Sequence, residues 1–335
     1  MMNNIVSTLV APHNFINQQK TMQEDVPKDY IRVKYLYCGI CGGDYSRYLG
    51  YRKFYPISLG HEFVGEIVGK NIPKDILLNV GDYVVSDFNY RCGVCDYCKS
   101  GKPHLCLYNN KELFTNRAFS LYADIHYSYL VKTEIPINKI YRATAVEPLS
   151  CIIHAMEHYD MNKVNSILVY GTGNIGMLCA FYLGSYLKKD VYIYDICLPR
   201  AENIINTLTC KKADFDINYY LFIEETNSSS GLLNCIESCF LNANICSFSH
   251  LYGQETDFIY EKLVTKEISI YFPLRNGPKE NLRKASKIIE STWLDNYDQL
   301  IYIHETDDIN IAFKNKIFYS EPKHIIKFTA YPKIL

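Results

Sequence analysis

Short runs in which apolar and polar residues alternate dominate the first part of the chain. Residues 31–37, 63–68, 82–85 and 123–130 each read as a strand, and clusters of Gly, Pro and Asn separate them. Together they predict a small β-rich unit over about residues 33–131. The texture changes at Ser166. An apolar strand at 167–170 runs into a glycine turn, an apolar helix over 175–187 follows, and a second strand lies at 191–195. This is the pattern of a βαβ unit. Weaker strands at 243–248 and 268–272, with a helical period over 280–289, extend the α/β region to about residue 290, and the tail returns to strands at 301–304 and 325–329. Residues 164–187 are uncharged and long enough to cross a bilayer, but four glycines interrupt them and lysines flank them, so they read as buried strand, turn and helix.

Composition narrows the class. A length of 335 residues predicts about two domains, and 48% apolar residues suffice for a core in each. With 35 Lys+Arg against 36 Asp+Glu there is no basic excess for neutralising phosphates, so nucleic acid is not the expected partner. The N-terminus lacks a basic start and a long apolar stretch, which predicts a cytoplasmic protein without a secretory signal or membrane anchor. Thirteen cysteines in a reducing compartment point to metal rather than disulfides.

Three local patterns carry chemistry. Cys92, Cys95, Cys98 and Cys106 form a C-x2-C-x2-C-x7-C run among turn residues. Four thiolates on one loop can close a tetrahedral shell around structural Zn2+, with an iron–sulfur cluster as the rival reading. Upstream, Cys38-Gly39-Ile40-Cys41-Gly42-Gly43-Asp44 precedes Leu59-Gly60-His61-Glu62. Thiolate, imidazole and carboxylate suit a zinc with one open position, which is what Lewis-acid catalysis needs, although His61-Glu62 alone would read as a structural pair. The third pattern is Gly171-Thr172-Gly173-Asn174-Ile175-Gly176 between a strand and a helix, with Asp195 closing the next strand 24 residues after Gly171. Glycines there permit a tight turn and close approach of a pyrophosphate at a helix N-terminus. A carboxylate at Asp195 accepts from a ribose diol and repels a 2′-phosphate, favouring NAD over NADP, while Arg200 and Lys188/Lys189 temper that preference.

In this order and spacing the chain resembles the zinc-containing medium-chain dehydrogenase family, especially its polyol and sugar-alcohol branch of sorbitol and galactitol-1-phosphate dehydrogenases. The residues that carry the resemblance are the Cys38–Asp44 motif, Tyr55-Pro56-Ile57-Ser58-Leu59-Gly60-His61-Glu62-Phe63, the four-cysteine lobe, Tyr122-Ala123-Asp124, Glu147-Pro148-Leu149 with His154, and the glycine turn. It covers about residues 30–200 well, and beyond them only Lys266-Glu267-Ile268 and Ile326-Lys327-Phe328 are similar to the family. The resemblance implies an α/β protein: a GroES-like β-rich catalytic domain (1–150 and 291–335) around a Rossmann doubly wound parallel-sheet NAD-binding domain (151–290), with the active site between them. It implies Cys41 and His61 as catalytic zinc ligands, Glu62 and Glu147 as the carboxylates that alternate with water or substrate, and Asp44 as hydrogen-bond acceptor for the His61 ring. Gly171, Gly173, Asn174, Ile175, Gly176, Asp195 and Arg200 would bind the cofactor. Cys38 would be a packing thiol, and a homo-oligomer, dimer or tetramer, is implied.

Two departures stand out. Gly43 replaces the Ser or Thr whose hydroxyl begins proton removal in the family, so a water or a neighbour such as Tyr45, Ser46 or Tyr48 would have to serve. Residues 241–253 lack the paired glycines usual before the strand under the nicotinamide. The expected reaction is hydride transfer between a secondary alcohol of a polyol, sugar or cyclitol and NAD(P), with Zn2+ as Lewis acid. Arg47, Arg52 and Lys53 offer a site for a phosphorylated substrate, or else a solvated basic turn. Competing readings are a dehydrogenase of an amino-cyclitol or surface-polysaccharide sugar, a catalytically degenerate zinc-stapled scaffold or cofactor-binding regulator, and, on the cysteine lobe alone, a zinc-ribbon module.

Overall fold

The computed structural model describes residues 1–87, 91–108, 117–251, 260–306, 308–315 and 321–328. In chain order its strands and α-helices begin with β1 (Met2–Ala11), β2 (Asn14–Met22), β3 (Tyr30–Gly39), α1 (Gly42–Tyr48), β4 (Ile57–Ser58), β5 (Glu62–Asn71) and β6 (Tyr83–Ser86). There follow α2 (Asp96–Lys99), β7 (Tyr122–His126), β8 (Leu130–Lys132), α3 (Val146–Met156), β9 (Ser166–Tyr170), α4 (Asn174–Cys179), β10 (Asp190–Tyr194), α5 (Leu198–Thr207) and β11 (Lys211–Lys212). The last are β12 (Leu221–Glu224), α6 (Ser229–Ser238), β13 (Asn244–Ser247), α7 (Tyr260–Thr265), β14 (Ser269–Tyr271), α8 (Lys279–Thr292), β15 (Ile301–His304), α9 (Ile309–Asn315) and β16 (Lys323–Lys327). No helix among the described residues is long and apolar enough to cross a membrane.

One sheet runs β15-β16-β3-β5-β6-β8, with β7 also on β3. Its central strand shows why the alternating pattern works: Ile31, Val33 and Tyr35 of β3 are buried on the core face. Arg32, on the other face, is also buried, because its guanidinium donates to both carboxylate oxygens of Asp124 at 2.8 and 2.9 Å. The last strand returns to the first part of the chain, pairing Ile325 with Gly39 in antiparallel register. The segment expected as one strand at 123–130 is divided between β7 and β8 by a 3-10 turn at Tyr127–Tyr129.

The second sheet is wholly parallel, ordered β11-β10-β9-β12-β13-β14. Counted by appearance this is 3-2-1-4-5-6, the doubly wound arrangement whose switch point lies between its first and fourth strands, β9 and β12. The helix expected over 175–187 forms as α4 and continues as a π-helical stretch, Ala180–Tyr186. The structure adds elements the sequence pattern did not reveal. The β1–β2 hairpin and its short third strand β4 form a separate sheet. β1 is buried along most of its length because Asn4, Ser7 and Thr8 find hydrogen-bond partners inside, so no polar-apolar alternation marks it. α3 carries Pro148 in its first turn, where a missing N–H costs nothing.

α3 and α8 pack together and share one apolar core with Val64, Val85 and Val131 of the first sheet and Ile167 and Val169 of the second. The boundaries expected at 150 and 290 therefore fall inside these two helices.

Candidate active site

The end of β3 and the start of β5 are paired, placing Gly39 opposite Glu62. Cys41 follows β3 and caps α1, its sulfur accepting the Gly43 N–H at 3.4 Å. His61 precedes β5. Ligand atoms of Cys41, His61 and Glu62 all lie within 4.8 Å of one another, a spacing that admits a metal ion. Glu147, on the first turn of α3, is buried beside this group but outside that triad. Asp44 Oδ2 faces His61 Nδ1 at 3.7 Å, too far for a hydrogen bond, and is buried without another partner.

The charges explain the arrangement. Cys41, Asp44, Glu62 and Glu147 converge on one buried region in which the lysine is Lys323. Burial raises Asp44 and Cys41, and lifts Glu147 to about 7 against the pull of His61. Burial alone would lower His61, but Asp44 and Cys41 hold it well above its ordinary value. Such a group favours a cation, and its soft and hard donors fit zinc.

Lys323, which opens β16, was not singled out from the sequence. It is buried, and its Nζ donates to Glu62 Oε2. A Cβ on Gly39 would lie 2.5 Å from both of those atoms, so glycine at that register position is what admits the pair. The sequence held no local signal for it, since 261 residues separate the partners.

The four cysteines of the lobe lie together. Cys92, Cys95, Cys98 and Cys106 offer sulfurs within 4.8 Å of each other, with Cys92–Cys98 at 3.9 Å and Cys95–Cys106 at 4.0 Å. Zn–S bonds of about 2.3 Å in a tetrahedron require edges of about 3.8 Å. Backbone N–H groups of Cys98 and Leu107 hold the Cys95 thiol down to about 6, favouring the thiolate that binds metal. His154 meets this lobe: its ring packs against that of His104 at 4.4 Å between centroids, so it links α3 to the lobe rather than to the Cys41 group. Of the cysteines outside both clusters, Cys38, Cys179, Cys235, Cys239 and Cys246 are buried, while Cys151, Cys197 and Cys210 are partly exposed.

Between β9 and α4 the glycine turn is tight. Gly171 takes a left-handed φ of 101°, and a Cβ on Gly176 would stand 2.1 Å from the Gly171 carbonyl oxygen. Asn174 opens α4, its Oδ1 buried without a hydrogen-bond partner, and Ile175 follows it. Asp195 follows β10 and is already engaged: Oδ2 accepts from Thr172 N at 2.7 Å, Thr172 Oγ1 at 2.5 Å and Arg200 at 2.8 Å, and Oδ1 accepts from Cys197 N at 2.7 Å. Burial would raise its pKa, but the Thr172 and Arg200 contacts outweigh this and lower it. The cradle fits a dinucleotide, with Oδ1 the less crowded oxygen for a ribose hydroxyl. Arg52 influences both Asp44 and His250, the latter three residues beyond β13, so the basic turn lies near the end of the parallel sheet's fifth strand.

A β-rich unit with two cysteine-bearing groups that could each hold a metal, joined to a doubly wound sheet with a glycine turn, is the build of a zinc-binding alcohol dehydrogenase. Comparison with known proteins agrees. The Alcohol dehydrogenase GroES-like domain family matches residues 27–135. Sorbitol dehydrogenase of Halalkalibacterium halodurans is 35% identical over 294 residues, covering 79% of this chain and 82% of that protein. D-arabitol-phosphate dehydrogenase of Enterococcus avium is 36% identical over 184 residues, 49% of this chain and 50% of that one. An Escherichia coli alcohol dehydrogenase solved with NADH superposes with a TM-score of 0.81 at 22% identity, covering 98% of this chain and 100% of its own. Galactitol-1-phosphate dehydrogenase of Escherichia coli gives 0.79 at 18% identity, with 96% and 99% covered, and these two share the fold. The chain belongs to the zinc-containing medium-chain dehydrogenase family, among its polyol dehydrogenases. It is an NAD(P)-linked oxidoreductase.

Proposed function

We propose that the protein is a zinc-dependent dehydrogenase that interconverts a secondary alcohol of a polyol, sugar or cyclitol and the corresponding ketone, with NAD as the favoured cofactor. The observation that carries this reading is the convergence of Cys41, His61 and Glu62 within 4.8 Å of each other, in a chain that also holds the glycine turn at the switch point of a parallel sheet. Bound zinc would supply Lewis acidity toward the substrate hydroxyl, and the dinucleotide would supply the hydride acceptor.

The residues divide the remaining work. Cys41, His61 and Glu62 would hold the metal, and Glu147, whose carboxyl feels both His61 and Glu62, would be the carboxylate that alternates with Glu62. Lys323 donates to the Glu62 carboxylate and balances one buried negative charge. Asp44 faces the His61 ring and favours its orientation toward the other ligands. Cys92, Cys95, Cys98 and Cys106 hold a second, structural zinc. Gly171, Gly173, Asn174, Ile175 and Gly176 take the cofactor's diphosphate side, and Asp195 with Arg200 its ribose. Arg47 and Arg52 both exert a positive field on Asp44, which favours an anionic or phosphorylated polyol.

The test is zinc per chain together with NADH formation at 340 nm across polyols, polyol phosphates and cyclitols. Two zincs with turnover lost on chelation and restored by zinc support the reading. Turnover unchanged after complete zinc removal, or one zinc with neither turnover nor NAD binding, overturns it. For the basic turn, Arg52→Ala with Lys53→Ala should raise KM for a phosphorylated polyol more than for its unphosphorylated counterpart.

A further inference from the structure

The switch point of the parallel sheet holds a charge that dinucleotide binding does not require. Glu225 directly follows β12, and its backbone N–H donates to the Tyr170 carbonyl at 2.9 Å, which fixes it across from the glycine turn. Its Oε2 accepts the Gly173 N–H at 3.2 Å. The carboxylate lies flat on the turn, for a Cβ on Gly173 would stand 2.9 and 3.0 Å from its two oxygens. Glu224 beside it has a different task. That buried carboxylate accepts from Thr226 N, Thr226 Oγ1, Ser247 Oγ and Ser249 Oγ, so it is satisfied by its own loop and strand neighbours.

Gly173 caps α4, and no side chain of its own could serve that N–H. An N–H at a glycine turn before a helix is the donor that an incoming diphosphate uses, and one N–H cannot serve two anions at once. Like charges brought together at a half-buried position, where water screens them poorly, repel each other.

Resting on the dinucleotide reading above, we propose that Glu225 is an internal competitor for the glycine turn: its carboxylate occupies the Gly173 N–H in the cofactor-free protein, and the dinucleotide binds by displacing it. Glu225 therefore sets cofactor affinity, weakening the grip on the diphosphate while leaving the adenosine end untouched. The unpartnered Oδ1 of Asn174, on the first residue of α4, belongs to the same unfinished surface.

Calorimetric titration of the full-length, zinc-loaded protein tests this, with NADH and adenosine as probes and the wild type, Glu225→Gln and Glu225→Ala as samples. Gln keeps an acceptor for Gly173 and Ala removes it, and thermal unfolding checks that both variants are folded. The expected result is NADH bound about tenfold or more tightly by both variants, with adenosine affinity within about twofold of wild type. NADH bound equally or more weakly by the variants overturns the inference and leaves the dinucleotide reading standing. Adenosine tightened as much as NADH also overturns it, since the effect would then lie away from the diphosphate. NADH binding to none of the three would remove the dinucleotide reading, and this inference with it.

Discussion

Single positions decide the chemistry of this site by what they leave out. Gly43 stands where the family resemblance implies a hydroxyl that begins proton removal, and a side chain would fit there: beyond its own helix backbone and chain neighbours, a Cβ would meet Cys41 Sγ at an ordinary 3.7 Å. The nearby Ser46 hydroxyl donates to the Gly43 carbonyl at 2.8 Å, so its proton is already committed. Gly43→Ser should therefore raise kcat, by roughly tenfold or more if proton transfer limits the rate, with metal content unchanged; steady-state kinetics on the best polyol would show it, and an unaltered kcat would mean that a water already does the work. Gly176→Ala is the opposite case. Its methyl would meet the Gly171 carbonyl oxygen at 2.1 Å, a backbone atom that cannot move aside cheaply. That substitution should cost about 2 kcal/mol or more of stability and abolish NADH binding, read by urea unfolding and by NADH fluorescence, while zinc content stays as in wild type.

At the scale of elements, the short loop segments are the most legible and the strands between them least so. The cysteine lobe was readable because all four ligands lie within one loop, and its sulfurs meet at near-tetrahedral edges with backbone N–H groups of Val94 and Cys95 supporting Cys92 at 3.4 and 3.3 Å. Cys95→Ser should reduce metal by one zinc per chain and expose residues 92–106 to proteolysis, detectable by elemental analysis and limited digestion. Retention of two zincs in that variant would refute the shared shell. β12 is the contrary example. Its four residues, Leu221–Glu224, are too short a run to stand out, even with the turn residues Thr226-Asn227-Ser228 just beyond, and they become a strand because β9 and β13 offer parallel partners on both sides. Asp195 shows a third situation. Its place after β10 and its Arg200 partner five residues on follow from the local pattern, but the bonds from Thr172 come from the glycine turn after β9.

Across the whole molecule, distant segments are joined by buried charge. Arg142 donates to Asp295 at 2.7 Å and to both oxygens of Asp298, tying the 3-10 segment before α3 to the one after α8. Arg142→Ala should lose roughly 1–3 kcal/mol, because Asp298 would be left partly buried without its partner. Its contacts give stability a defined acid limb. Hydrogen bonds from Arg142 and Lys139 hold Asp295 down to about 2 against an ordinary 3.8, so that contribution is present above about pH 4 and fades as pH falls through 2. Thermal unfolding of wild type and Asp295→Asn should converge at the acid end; a gap that persists below pH 2 would contradict the assignment. The sequence by itself determined the class of protein: the spacing of four cysteines, the Cys41 and His61-Glu62 motifs and the glycine turn are local, because their geometry is set by chain stiffness over a few residues. Only the tertiary structure decided the Glu62–Lys323 pair and the seat of Glu225 on Gly173, because both depend on which strands become neighbours in a sheet, and that is fixed by packing the whole chain.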